Sequence, residues 1–536
     1  MPKNDSNAKQ IKKEGVKALQ KKIVLVLFVL VFSLTIAGAV SAADATNGTT
    51  SIEPTINNST NNSQTLPDPK LYDENMNLVG SYLTIQEAYS NAAVGTNTQM
   101  YTIELEENGI FTLTDFTIAK NLRFTVANGG TATIQGSNNR LFYIAPGYTV
   151  YFYNITFENG HASDGTTIHP DGYHGGAIYN EGTLYLTDCV LRNNQAGDGG
   201  AWDYGGIGGN GGAIYNTGTT TITDCEIYNN RAGDGSDGWA VLHSNGFNGG
   251  HGGAIYSTGT LTITGSDFYG NRAGHGGDGV ILGDGGNGGD GGAIYNTAAM
   301  TITDSMIHNN LAGSAGDGGY QVIIGGTGGT GGNGGAIYNT GTTTITDSEI
   351  NENTAGDGGS GADGSNGSVI LLHPAGYTGH TGGDGGNGGA IYNLGYLEIT
   401  QTTINSNKAG NGGKGGDGGD GVDRSLVSSG GAGGAGGEGG AGGDGGAIYN
   451  TGSSTLILTD SDLSGNEAGN GGIGGSGGQG GDAKRYNPFG GNGHTGGVGG
   501  EGGEGGDGGA IYNQGTTQTI TNSNFTVNTA GNGGLG

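Results

Sequence analysis

Acidic side chains recur at one position in five of the eight repeats of this sequence, and they are its first candidates for chemistry. They are Asp188, Asp224, Asp304, Asp347 and Asp460. Polysaccharide lyases and hydrolases need clustered carboxylates, or a basic residue beside them, in a cleft. An acid that occurs once per repeat is better explained by hydrogen bonding in a turn, because catalysis needs only one or two special turns. We therefore expect no enzyme, with a polysaccharide lyase or glycoside hydrolase as the alternative.

The same acids could collect Ca²⁺ weakly, but the residues around them do not form a calcium-binding repeat. The pattern Gly-Gly-X-Gly-X-Asp-X-hydrophobic does not fit, since Asp290 is followed by Gly291, Gly292 and Ala293. The ten histidines are scattered, and no Cys/His metal pattern occurs. We expect no cofactor, apart from weak Ca²⁺ binding by acidic loops.

The two cysteines, Cys189 and Cys225, occupy the position that Ser266, Ser305 and Ser348 hold in other repeats. Their separation equals the spacing between the two repeats, so we expect them to stack in neighbouring turns. This distance is within disulfide range, although stacked side chains often have the wrong dihedral angle. A disulfide and a pair of buried small residues both remain open.

The first 42 residues have the pattern of a secretory signal. Lysines precede an uncharged apolar run from Ile23 to Val40, and Val40, Ser41 and Ala42 then supply small residues at cleavage spacing. The alternative is an uncleaved helix that anchors the chain in a membrane. The signal predicts a secreted or cell-surface protein.

Residues 43–80 are rich in Asn, Thr and Ser and contain little that could form a core, so they are predicted to be a disordered stalk. Four asparagines there begin Asn-X-Ser/Thr triplets and are candidate glycosylation sites. They are Asn47, Asn57, Asn58 and Asn61.

Composition excludes two classes of protein. The formal net charge of −29 argues against nucleic-acid binding. With 125 glycines but only 8 prolines, the chain is not collagen-like.

One repeated sequence motif, here called the phrase, must position the recurring acids and the two cysteines. Gly-Gly-Ala-Ile-Tyr-Asn occurs seven times, first at Gly175, and an eighth copy at Gly252 ends in Ser257. A run of alternating apolar residues and threonines follows each copy, which is strand periodicity. Units of nearly constant length with inserts at one point indicate a solenoid. We predict a parallel β-helix in residues 175–536, preceded in residues 81–174 by a short capping helix and the first turns.

Each repeat ends in an asparagine before its insert, and stacked asparagine amides can bond each other and the backbone. This predicted structural ladder contains Asn194, Asn230, Asn271, Asn310, Asn353, Asn407, Asn466 and Asn528. In the phrase itself, Ile178 is predicted to point inward and Tyr179 outward, although the reverse assignment is open. The glycine-rich inserts should all leave one corner, either as free linkers or as extended helices packed through glycine faces.

Gly-Gly-Ala-Ile, followed by Phe-X-X-Asn as in Phe268 to Asn271, is similar to the paired motifs of chlamydial polymorphic membrane proteins. The whole layout resembles the adhesin-like surface proteins of methanogenic archaea: signal, Asn/Thr stalk, Thr-Ile-Gln-Glu-Ala segment, then repeats. The resemblance implies a right-handed parallel β-helix on the cell surface, with an adhesive role.

We accordingly expect a secreted or cell-surface adhesin-like or structural protein that presents a β-helix and glycine-rich loops. Its expected partners are a host or neighbouring cell surface and glycans, not nucleic acid. A membrane is a partner only through an uncleaved N-terminal segment. Rows of outward threonines, such as Thr219, Thr221 and Thr223 with the equivalents around Thr262, could instead bind ice or glycans, but Thr is also simply a good strand residue.

Overall fold

The computed structural model describes residues 68–96, 99–200, 205–239, 244–320, 325–368, 373–423, 430–482 and 494–536. The chain divides into two compact units, 1–64 and 65–536, and every described residue belongs to the second. The predicted signal, most of the predicted stalk and the four glycosylation candidates lie outside the described residues. Within the described part of the chain, no helix has the length and apolar character needed to cross a membrane.

Strands dominate the described residues. The first ten are β1 (Lys70–Tyr72), β2 (Leu78–Ser81), β3 (Tyr101–Leu105), β4 (Ile110–Leu113), β5 (Phe116–Ile118), β6 (Leu122–Val126), β7 (Ala132–Gly136), β8 (Phe142–Ile144), β9 (Thr149–Tyr153) and β10 (Ile155–Glu158). One helix, α1 (Ile85–Asn91), follows β2, and a 3-10 turn (Ala127–Gly129) follows β6.

Each of the eight repeats then contributes three strands. They are β11 (Ile178–Asn180), β12 (Thr183–Thr187), β13 (Val190–Arg192), β14 (Ile214–Asn216), β15 (Thr219–Thr223), β16 (Glu226–Tyr228), β17 (Ile255–Ser257), β18 (Thr260–Thr264), β19 (Asp267–Tyr269), β20 (Ile294–Asn296), β21 (Ala299–Thr303), β22 (Met306–His308), β23 (Ile337–Asn339), β24 (Thr342–Thr346), β25 (Glu349–Asn351), β26 (Ile391–Asn393), β27 (Tyr396–Thr400), β28 (Thr403–Asn405), β29 (Ile448–Asn450), β30 (Thr455–Thr459), β31 (Asp462–Ser464), β32 (Ile511–Asn513), β33 (Thr517–Thr521) and β34 (Asn524–Thr526).

These strands stack into three long sheets, and each turn of the chain adds one strand to each sheet. The sheets have 13, 11 and 10 strands, and every pairing between turns is parallel. Identical positions lie opposite each other, as in Ile178 opposite Ile214 and Ile214 opposite Ile255. The predicted fold is therefore confirmed: the described residues form a right-handed parallel β-helix.

The core follows from the alternation within each strand. Ile178 and its equivalents through Ile448 are fully buried, which agrees with the predicted inward orientation. Tyr179 and its equivalents are half-buried and stack outside the sheet, with ring centroids 4.6 to 5.6 Å apart from Tyr143 to Tyr512. Burial raises the pKa of Tyr215 and of Tyr392, each to about 12. Because the rings face one another, the column presents mainly ring edges to solvent.

The N-terminal end of the β-helix is capped by β1, β2 and α1. Thr84 caps the helix by accepting a hydrogen bond from the Glu87 amide, and the Glu87 carboxylate in turn accepts one from the Leu83 amide, which is the pattern of a capping box. Ile85 and Ala88 are buried, whereas Leu83, just before the helix, is 66% exposed. The Tyr89 ring packs edge-on against Phe116 in the first turn.

The boundary of the predicted stalk needs correction. Strands β1 and β2 lie at its end, within 70–81, and β1 pairs antiparallel with β3. The composition of residues 43–80 concealed these strands, because β2 pairs only with β1 and the further partner of β1 is β3, beyond the predicted stalk.

The recurring acids lie at the corner between two of the sheets. Asp188, Asp224, Asp304, Asp347 and Asp460 all have φ between 49° and 52° and exposed side chains. Gly265 takes the same place in one turn, with φ of 61°. A left-handed backbone favours Asp, Asn and Gly, so this position is explained by turn geometry.

The glycine-rich inserts, here called arms, run from each ladder asparagine to the next Gly-Gly-Ala-Ile-Tyr phrase, and their described parts are ordered. The outgoing and returning halves of successive arms alternate along a column of amide-to-carbonyl hydrogen bonds: Gly233 donates to Gly209, Gly250 to Gly233 and Gly274 to Gly250, each over 2.8 Å. This inner column continues to Gly531 and contains only glycine from Gly197 onward. Contacts that repeat every three residues are typical of packed extended helices, the second of the two predicted alternatives.

In the Gly-Gly-X stretches of the arms every third residue carries a side chain, and many of these side chains link one turn to the next. The Asp198 carboxylate accepts from the Asp234 amide over 2.7 Å, and Asp234 accepts from the His275 amide over 2.8 Å. Asp278 does the same for the Asp317 amide at the next position outward. The many acids of the arms are thus hydrogen-bond acceptors for the following turn.

Candidate functional site

The predicted asparagine ladder forms a continuous chain of amides inside the corner where the arms begin. Asn310 shows the pattern: its Nδ2 donates to Asn353 Oδ1 over 3.0 Å and to the Phe268 carbonyl over 2.9 Å. Its Oδ1 accepts from both the backbone and the side chain of Asn271. The same contacts join the ladder from Asn194 to Asn528. These asparagines stabilise the β-helix, so a binding site would have to be formed by other residues.

A second amide column, not foreseen from the sequence, is formed by the last residue of the repeated phrase. Asn180 Nδ2 donates to Asn216 Oδ1 over 2.9 Å, and Asn216 Nδ2 donates to the Ser257 hydroxyl over 3.0 Å. From Asn296 to Asn513 the column again consists of asparagines. The sequence does contain a signal for this column. The position is Asn in seven of the eight copies, and the exception, Ser257, can also form hydrogen bonds.

The two cysteines stack as predicted, and both are buried free thiols, so the disulfide alternative is not formed. The Cys189 amide donates to Cys225 Sγ at 3.3 Å, and the Cys225 amide donates to the Ser266 hydroxyl at 3.1 Å. Further along, the Ser266 amide donates to Ser305 in the same way. Each sulfur therefore takes the acceptor role of the serine hydroxyl, and burial raises the pKa of the Cys189 thiol.

We expect Cys225→Ser to change the free energy of unfolding by less than about 1 kcal/mol, whereas Cys225→Ala should cost about 1–3 kcal/mol by leaving the buried Cys189 amide without an acceptor. Chemical denaturation of both variants checks this. In the native protein a water-soluble thiol reagent should label neither cysteine, and it should label both after unfolding. Equal stability of the two variants, or rapid native labelling, would contradict this assignment.

One outward column of the 11-stranded sheet carries side chains that differ from turn to turn. In five successive turns this column holds Glu158, Arg192, Tyr228, Tyr269 and His308, each directly opposite the next. In the following turns the same column holds small or neutral polar residues, namely Asn351, Asn405, Ser464 and Thr526. We call the first five residues the 158–308 column.

The members of the 158–308 column contact one another in sequence. Arg192 pairs with Glu158 at 2.6 Å, and it also donates to the Tyr228 hydroxyl at 3.3 Å. Tyr228 stacks on Tyr269 with centroids 4.7 Å apart, and Tyr269 stacks on His308 at 5.3 Å. A guanidinium and three rings are thereby held in one rigid row.

Carboxylates flank this row. Asp267 lies 3.1 Å from His308 Nε2, and burial raises the pKa of its carboxyl even though the imidazole opposes the shift. The exposed Glu226 lies opposite Asp267 in the strand pairing.

Next to the 158–308 column, residues at the start of the arms form a second cluster of charged side chains. Arg231 pairs with both Asp198 and Asp234, and Arg272 pairs with Asp234 at 3.3 Å. Burial raises the pKa of the Asp198 carboxyl. Burial lowers the pKa of the His275 imidazole, and the positive charge of Arg272 lowers it further. These groups offer donors, acceptors and ring edges to a polar partner. Within the described residues, no group of three or more His, Cys, Asp and Glu residues is placed to hold a metal ion.

This site is hidden in the sequence, because it consists of residues that differ between repeats rather than of those that the repeats share. Reading one position across the repeats, two residues before each ladder asparagine, would have found the change from Arg, Tyr, Tyr and His to Asn, Asn and Ser. The contacts of Arg231 and Arg272 with arm residues carry no such signal, because they depend on how the arms stack.

The fold places the chain in the class of parallel β-helix repeat proteins. It matches no protein-family model and no curated protein. Among solved structures it is similar to pectate lyase Pel9A, with 14% identity over 60% of this chain and 72% of that chain and a TM-score of 0.27. Tailspike protein 3 of bacteriophage CBA120 is 10% identical over 69% of this chain and 47% of its own, with a TM-score of 0.15.

The likeness to a pectate lyase corrects the expectation that the protein is not an enzyme, since a solved structure similar to this chain is that of a lyase. At this TM-score the likeness carries no activity, substrate or residue role over to the chain.

Proposed function

We propose that the protein is a secreted or cell-surface adhesin-like protein that binds a glycan-bearing cell surface through the 158–308 column and the charged groups beside it. The resemblance of the repeats to archaeal adhesin-like proteins and chlamydial polymorphic membrane proteins, and the signal-like N-terminus, support this role. The β-helix supplies a rigid support, and the site lies on its outer face.

One observation carries the proposal: a backbone of uniform turns bears non-uniform side chains at one outward position. The fold accepts Asn405 or Ser464 there as readily as Tyr228 or Arg192. Stability of the β-helix therefore does not require Arg and Tyr in the earlier turns. Arg and Tyr are also, with Trp, the residues enriched at the positions that contribute most of the binding energy in interfaces.

Binding to intact cells and to a glycan array tests the proposal. The variant Arg192→Ala/Tyr228→Ala/Tyr269→Ala should lose about tenfold or more in apparent affinity. The matched control, Asn405→Ala/Ser464→Ala, alters the same column in later turns and should bind like the unaltered protein. Equal loss in both variants, or in neither, would refute a role for the column. Release of soluble sugar from a bound polysaccharide would instead support the lyase or hydrolase alternative.

A further inference from the structure

A second surface has a different character from the site above: the outer face of the 13-stranded sheet. Four successive strands, β15, β18, β21 and β24, each present three outward positions. Eleven of these twelve positions are threonine and the other is Ala299. We call this set the threonine face. Tyr185 borders it in the preceding turn, and Tyr396 and Glu398 border it in the following turn.

The threonines form a two-dimensional array. Thr221 lies opposite Thr262, Thr262 opposite Thr301, and Thr301 opposite Thr344. Neighbouring strands of a sheet are about 4.8 Å apart, and alternate residues of one strand are about 6.7 Å apart. The fully buried residues Ile222, Ile263, Ile302 and Ile345 lie within the same four strands and support the array from the core.

The hydroxyls of this face are not used by the fold. None of the eleven makes a side-chain hydrogen bond to another part of the chain that the structure describes. By contrast Thr220, on the inner side of the same strand, bonds Asn216 and Asn180. Each outer threonine thus offers a free hydroxyl and a methyl group to solvent.

Charge decides which partner suits the face. The chain has a net charge of −29, yet the threonine face carries no charged side chain. A charged partner would be recognised by complementary charges, and none is present. A flat carbohydrate chain is commonly bound against an aromatic ring face, and the twelve positions contain no ring. A neutral, regular array of hydroxyl and methyl groups instead fits a neutral lattice of water molecules, which excludes ions.

We propose that the threonine face binds ice. Both repeats of the array are close to oxygen spacings that recur on planes of hexagonal ice, so the hydroxyls and the water held between the methyl groups can continue the lattice. Because the turns are in register, the match extends over the whole face. From the sequence alone, the threonine rows could be explained either by ice binding or simply by the preference of Thr for strands. The register of the strands and the free hydroxyls favour ice binding.

Partition into slowly growing ice and thermal hysteresis test the proposal. The full chain should enter the ice and depress the freezing point. For Thr262→Lys/Thr301→Lys, both the fraction of protein in the ice and the thermal hysteresis should fall by about tenfold or more. Thr262→Tyr is a second variant that the strand should tolerate, because Tyr185 occupies the same column two turns earlier. Thr330→Lys/Ser360→Lys adds the same charge on the arms and should retain both effects.

Exclusion of the unaltered protein from ice would overturn the proposal. So would threonine-dependent binding to crystalline cellulose or chitin without ice binding, which would identify a neutral polysaccharide as the occupant. The variant Arg192→Ala/Tyr228→Ala/Tyr269→Ala should keep its ice binding, so failure of the adhesive role and failure of the ice-binding role can be told apart.

Discussion

Replacement of Gly313 by alanine is expected to destabilise the protein by about 2–4 kcal/mol, with the loss concentrated in the arms. A Cβ atom at Gly313 would lie 1.8 Å from the carbonyl oxygen of Gly274 and 2.5 Å from the amide nitrogen of Gly289. Both are backbone atoms of the preceding arm, so no side chain can move aside. The arms would have to separate and break the inner column of hydrogen bonds.

Hydrogen exchange and urea denaturation check this expectation. Amides of the arms around Gly313 should exchange much faster, while the strands of the same turn keep most of their protection, since a solenoid opens locally. Ser314→Ala is the matched control: it alters the adjacent, half-buried residue and should change stability by less than about 0.5 kcal/mol. If the two variants behaved alike, the arms would not be packed as described.

Replacement of Asn407 by alanine is expected to cost about 3–5 kcal/mol, because it interrupts a buried amide column. Asn407 Oδ1 accepts from the backbone and side chain of Asn353, and its Nδ2 donates to the Ile350 carbonyl at 2.9 Å and to Asn466 at 3.0 Å. The side chain is fully buried, so water cannot replace these bonds. The amide of Asn353 and the carbonyl of Ile350 would lose their partners.

Urea denaturation followed by circular dichroism measures this cost. Lys408→Ala is the control, since it removes a larger, half-buried side chain from the next residue and should cost less than about 1 kcal/mol. A milder loss is expected for Asn296→Ser in the second amide column, because Ser257 already fills an equivalent position there. A small loss for Asn407→Ala would mean that the ladder contributes little to stability.

Much of the β-helix could be predicted from the sequence because its determinants are local. Alternation of apolar residues over five positions, as in Thr260–Thr264, decides which side of a strand faces the core, and a unit of nearly constant length decides that turns stack in register. The inward Ile178 and the Thr84 cap of α1 follow from the same short-range patterns.

Other features depend on partners that are distant in the sequence. The strands of the cap within 70–81 were hidden because β1 pairs with β3. Likewise, Cys225 is an acceptor only because the next turn places the Cys189 amide against its sulfur.

The amino-acid sequence by itself determined the turn: its length, its inward face and the asparagine that closes it. Only the tertiary structure decided what the arms become, because Gly-Gly-X suits a free linker as well as a packed extended helix. The choice rests on the carbonyls that neighbouring turns place 2.8 to 2.9 Å from the glycine amides of the inner column. The tertiary structure also decided that the outward Arg, Tyr and Thr residues form continuous surfaces, since their neighbours lie one full turn away along the chain.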